Sequence, residues 1–121
     1  FRSAPIVVRS LFAEVGPTIE EDLYYTLDFD GDYAVRRGAS ILAGSKEAFD
    51  AMREAMQDVD FAKISRVDAE AQLREALIKG MDPEGEQAVK GEMPELFFES
   101  AILRRDHQTT RKFRRLTSDE L

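Results

Sequence analysis

Two serine caps organise the middle of this 121-residue chain. Ser45 is followed by Phe49, Met52 and Met56 at i, i+3, i+7, with Ala48, Ala51 and Ala55 alongside. A hydroxyl at an N-cap satisfies one of the orphan backbone N–H groups, and this apolar spacing repeats on one helical face. Ser65, with Asp68 three residues on, gives the same signal in a shorter-armed form and opens Arg66 to Lys79. There Ala69, Leu73, Ala76 and Leu77 share a face, and Gly80 stands where a left-handed C-terminal cap is expected. Asp82-Pro83-Glu84-Gly85 then reads as a turn. Pro94 suits the first position of a third helix, with Glu95 in its first turn and Phe98 and Ile102 four apart.

These signals predict a mainly α protein with helices over residues 46–57, 66–79 and 95–107. Residues 1–103 form a single helical domain with an N-terminal arm, packed through Phe49, Met52, Met56, Leu73, Leu77, Phe98 and Ile102. Apolar density falls after Leu103, so residues 104–121 read as a basic C-terminal helix or extension.

Residues 18–37 support two readings. Thr18 with Glu21 resembles a capping box, Glu20, Glu21 and Asp22 put negative charge at the positive end of a helix dipole, and Ile19, Leu23 and Leu27 fall four apart. That favours a helix from Thr18 to Thr26 and an irregular acidic loop after it. Leu23, Tyr25, Leu27 and Phe29 also alternate, and Asp30-Gly31 followed by Tyr33 and Val35 suits a tight hairpin. The alternative architecture is therefore α+β, with one hairpin around Leu23–Arg37 laid on the helices.

Composition narrows the chemistry. With 43% apolar and 34% charged residues the chain is a charge-rich globular one, and no unbroken apolar run exceeds three residues, against the ~20 that cross a bilayer. No cysteine is present, which excludes disulfides, thiol nucleophiles and thiolate zinc sites, and a single histidine excludes any site needing two imidazoles. Carboxylate chemistry, alone or with a hard cation, is what survives. The first 13 residues hold Arg2, Ser3, Arg9 and Ser10 and no acid. That is the composition at the end of an organellar transit sequence and hints at an organelle-processed N-terminus, but an ordinary arm with two exposed arginines is the better reading of so short a match, and the compartment of this soluble chain stays open.

Charge is strongly segregated. Residues 1–102 carry 11 bases and 21 acids, whereas residues 103–116 carry six bases and one acid. Residues 14–33 hold seven acids and no base. Such polarity speaks to partners and steering rather than to fold.

Four local features are candidates for function. Asp28-Phe29-Asp30-Gly31-Asp32 places alternate aspartates as a cation loop would, making Asp28, Asp30 and Asp32 candidate metal ligands. The spacing is not that of an EF-hand, whose glycine is sixth and whose glutamate is twelfth; counted from Asp28, Gly31 is fourth and Ala39 twelfth. A polar turn explains the same residues. His107 beside Asp106 has no nucleophile motif to serve and reads as a solvated imidazole. Tyr24 and Tyr25 read as core or interface aromatics. The basic segment supplies Arg104, Arg105, Arg111, Lys112, Arg114 and Arg115 as partner-binding residues, since guanidinium groups engage carboxylates or phosphates in bidentate fashion.

The function expected from the sequence is that of a non-enzymatic accessory or adaptor subunit, without a cofactor, binding a protein partner with an acidic surface. One alternative is a divalent-cation-dependent carboxylate enzyme or cation-binding protein using the Asp28–Asp32 loop. Another is a nucleic-acid-binding regulator acting through the basic tail; anionic membrane binding through that tail is disfavoured because Phe113 and Leu116 give it too small an apolar anchor.

Overall fold

The computed structural model describes residues 7–106 and 113–117. The chain divides into two compact units, Phe1–Leu42 and Ala43–Leu121.

The first unit is a three-stranded antiparallel meander: β1 (Ser10–Glu14), β2 (Leu23–Leu27) and β3 (Tyr33–Arg36), in that order across the sheet. The helix expected over Thr18–Thr26 shrinks to one 3-10 turn, Ile19–Glu21. Asp22 is already extended, at φ −68° and ψ 133°. Its carboxylate accepts the Gly16 N–H at 2.8 Å, closing the corner between β1 and β2. A Cβ on Gly16 would lie 2.5 Å from Cβ of Glu21 and 2.8 Å from its carbonyl carbon, so this corner requires glycine. Period-2 alternation of Leu23, Tyr25 and Leu27 prevails over their four-residue spacing because strands on both sides take up their backbone groups.

The second unit centres on α1 (Lys46–Met56) and α2 (Arg66–Met81), which pack on each other. Ser45 Oγ accepts the Ala48 N–H and Ser65 Oγ accepts the Asp68 N–H, each at 3.1 Å, as the two caps require. Gly80, late in α2, approaches the Met52 side chain and the Ala48 carbonyl of α1. Gly80 therefore lies within α2 and permits close approach, while Asp82 is the C-cap. Ala69, Ala76 and Gly80 fall within about 40° on α2. Of these Ala76 is 1% exposed, whereas the expected core residues Leu73 and Leu77 are each 43% exposed.

A short helix, α3 (Glu86–Lys90), follows the turn at Asp82–Gly85 and is bounded by Gly85 and Gly91 in the left-handed region. Asp82 is buried, and its carboxylate accepts the Gln87 and Ala88 N–H groups at 3.2 and 3.0 Å.

No helix forms where a third long one was expected. Residues 92–100 lack regular structure, and β4 (Ala101–Leu103) pairs antiparallel with β5 (Phe113–Arg115). The Leu116 N–H donates to the Ser100 carbonyl at 2.8 Å, and the Leu116 side chain is buried. The pairing is non-local, and a strand partner outweighs the helix-start signal at Pro94 and Glu95. The protein is thus α+β rather than mainly α, with three helices and two antiparallel sheets among the described residues. It does contain the hairpin of the alternative reading.

Candidate interaction surfaces

The aspartate loop connects β2 to β3. Its backbone closes through Asp28 N–H to the Asp32 carbonyl at 2.8 Å and Gly31 N–H to the Asp28 carbonyl at 3.1 Å, with Gly31 at φ +91°. Two of its carboxylates hold the turn: Asp28 Oδ1 accepts the Phe29 N–H, and Asp30 Oδ1 accepts the Asp32 N–H. Asp28 Oδ1 also receives the Arg9 Nε–H at 3.1 Å. Local geometry accounts for the Asp/Gly composition, and among the described residues no group of three or more acidic or histidine side chains is arranged to hold a metal ion.

Strand register sorts the sheet residues into two faces, because directly paired residues project to the same side. One face bears three rows: Ser10, Leu27 and Tyr33; Phe12, Tyr25 and Val35; Glu14 and Leu23. The other bears Leu11, Ala13, Tyr24, Thr26, Ala34 and Arg36. The first is aromatic and aliphatic at its centre, with Phe12 53% and Tyr33 76% exposed. No described residue of this unit is buried.

Glu14 occupies one end row, where its Oε2 accepts the Tyr25 O–H at 3.1 Å, and the Asp28–Asp32 loop lies beyond the other. The Glu14 hydrogen bond is the main cause that raises the Tyr25 phenol above its ordinary pKa of 10.0; desolvation and the Glu14 charge add to it, and Arg37 opposes them. Arg37 Nη1 donates to the Glu20 carbonyl, and Arg36 is on the opposite face by register. Phe12 escapes a sequence reading because Leu11, Phe12 and Ala13 run consecutively without alternation; Tyr33 and Val35 do carry the period-2 signal.

The basic segment in the second unit is part hairpin. Arg104 forms a two-pronged pair with Asp106, Nε to Oδ1 at 3.0 Å and Nη2 to Oδ2 at 2.8 Å, which raises its pKa above the ordinary arginine value. Arg105 is half-buried, and Arg114 and Arg115 lie on β5. Arg115 Nη2 pairs with Glu99 Oε1 at 2.5 Å, a neutralising partner on the other strand's approach that sequence spacing does not reveal. Phe113 is exposed. His107, Arg111 and Lys112 lie outside the described residues.

One solvent-open cleft of about 380 Å³ in the second unit is lined by Asp58, Asp60 and Asp68 with Val59 and Ile64. Asp60 is already engaged by Lys63 Nζ at 3.4 Å and by the Ala62 N–H. Among the described residues no helix is long and apolar enough to cross a membrane. No family model matches the chain, and neither a curated protein nor a solved structure shows significant similarity to it.

Proposed function

We propose that this chain is a non-enzymatic adaptor, an accessory subunit of a larger assembly that completes its apolar surfaces against other chains. The observation that carries the reading is the imbalance of burial. Among the described residues eighteen large apolar side chains are exposed, while only Met52, Met56, Ala76 and Leu116 form the buried apolar core. Isolated surface leucines would need no explanation, but contiguous apolar rows on a sheet mark an interaction surface. Charge adds direction. The basic segment, with Arg104, Arg105, Arg114 and Arg115 and with Arg111 and Lys112 of the same stretch, takes a protein partner with an acidic surface, and electrostatic complementarity of this kind sets encounter rate and specificity.

Affinity purification from the native source, followed by cross-linking, tests the reading. The expected result is a stoichiometric partner cross-linked to the 99–116 segment, released by raised salt and weakened when Arg114→Gln and Arg115→Gln are combined. A chain recovered alone and monomeric from native extract overturns it. So does sub-millimolar Mg²⁺ or Ca²⁺ binding that Asp30→Asn abolishes, which would move function to the acidic loop.

A further inference from the structure

We infer that Thr117 is a phosphorylation site for a protein kinase with an acidic substrate channel, and that the phosphate switches the basic hairpin off for its acidic partner. This rests on the adaptor reading and supplies the regulation of that surface. The flanking sequence comes first. Phe113-Arg114-Arg115-Leu116-Thr117 sets guanidinium groups three and two residues before the hydroxyl. Kinases choose substrates partly by the charge pattern beside the target, and two arginines in those places fit a channel lined by carboxylates. No other serine or threonine of the chain has a base at both of them.

The structure presents this segment to an enzyme. β5 is already extended, the form in which a kinase cleft takes its substrate, and Arg114, Arg115 and Thr117 are exposed. Leu116 between them is buried, with its N–H on the Ser100 carbonyl, so Thr117 is the first residue past that anchor. The β4–β5 pairing is only three residues long, and so short a ladder opens locally without unfolding the unit. Transfer forms a bond from Thr117 Oγ1 to the γ-phosphorus of a nucleoside triphosphate and breaks the bond from that phosphorus to the β,γ-bridging oxygen. The hydroxyl proton is released and a nucleoside diphosphate leaves. Charge then sets the consequence. Residues 103–116 carry six bases and one acid. A phosphothreonine adds about −1.5 to −2 charges at neutral pH, with three strong acceptor oxygens beside Arg114 and Arg115. Arg115 holds Glu99 through a pair that is largely in solvent, so a phosphate dianion two residues away competes for the same guanidinium. The phosphate thus occupies arginines that an acidic partner would use and repels that partner's carboxylates.

The test uses the full chain, ATP and the catalytic domain of a serine/threonine kinase that requires arginine before its target. Incorporation of one phosphate is expected, mapped to Thr117 by tandem mass spectrometry, lost in Thr117→Val and retained in Ser118→Ala. Arg114→Gln combined with Arg115→Gln should slow incorporation by about tenfold or more. The phosphorylated chain should then capture its partner from native extract about tenfold less well, while Thr117→Val treated with the same kinase captures it as untreated wild type does. A chain left unmodified overturns the inference. So does phosphate on Ser118 in place of Thr117, or incorporation indifferent to the two arginines, which would point to an enzyme reading Asp119 and Glu120 downstream. The two ideas fail separately. A partner held equally by the phosphorylated and unmodified chains overturns the switch and leaves the adaptor reading standing, whereas a wild-type chain that captures no partner at all overturns the adaptor reading itself.

Discussion

A Cβ placed on Gly80 of α2 would lie 2.6 Å from Sδ of Met52 in α1 and 2.7 Å from its Cγ. The two helices cross where one has no side chain and the other threads a buried thioether through the gap. Met52 is 8% exposed, so its thioether is held inside the crossing rather than in solvent.

Gly80→Ala is therefore expected to destabilise the second unit despite improving helix propensity. Alanine gains about 1 kcal/mol over glycine in a helix, while overpacking a filled contact costs about 1–3 kcal/mol. The net loss is about 1 kcal/mol. Met52→Ala alone removes about 2–4 kcal/mol by leaving a cavity. Combined, the two substitutions should couple favourably by at least about 1 kcal/mol in urea unfolding, because the new methyl occupies the vacated space. Stabilisation by Gly80→Ala in the Met52 background would show that the crossing is looser than this.

Legibility from sequence divides along the distance over which each signal acts. Ser45 and Ser65 operate within three residues, and their helices begin where the caps stand. Gly80 has the composition of a helix end, yet its reason is Met52, 28 positions earlier in the chain. Ser10–Glu14 has no period of its own and becomes a strand only because Leu23–Leu27 pairs with it. Pro94 and Glu95 form a genuine start signal, but Ala101–Leu103 finds Phe113–Arg115 and goes extended. For the candidate surfaces, the acidic and basic stretches were readable as composition. The assembly of Phe12, Tyr25 and Val35 into one row required strand register.

The basic hairpin separates stability from association. Leu116 is 5% exposed, so Leu116→Ala should lower the unfolding free energy by about 2–4 kcal/mol, seen as a lower thermal midpoint. Arg114→Gln with Arg115→Gln should shift stability by less than about 1 kcal/mol, because the Arg115–Glu99 pair is largely in solvent. On the adaptor reading the arginine variant loses partner binding at an unchanged midpoint. Deleting the whole segment would confound the two effects by removing Leu116.

Asp82 governs α3. A helix of five residues is below the length that sustains itself, and here its first free N–H groups reach back to one buried carboxylate. Asp82→Ala leaves the Gln87 and Ala88 amides without that acceptor, a loss of about 1–3 kcal/mol confined to this element. Amide hydrogen exchange at those two residues should accelerate by about tenfold or more, with the α1 and α2 amides unaffected. Asp82→Asn retains one acceptor oxygen and should protect one of the two amides.

Tyr25 and Glu14 give the first unit a pH signature. The phenol is the donor in their hydrogen bond, so ionising it removes the bond and sets a phenolate against a carboxylate. The folded pKa is accordingly raised above 10.0. A group that holds its proton more tightly when folded contributes stability that is complete below its unfolded pKa and is lost as pH climbs through the folded one. Stability of the sheet should thus be level up to about pH 10 as far as this pair is concerned and decline above it. In a Tyr24→Phe, Tyr33→Phe background, ultraviolet titration of the remaining phenol should give a midpoint above 10. Glu14→Gln should move that midpoint down toward 10, since the charge and the acceptor that favour the neutral phenol are both weakened. A midpoint unchanged by Glu14→Gln would mean that the Glu14 carboxylate does not engage Tyr25 in solution.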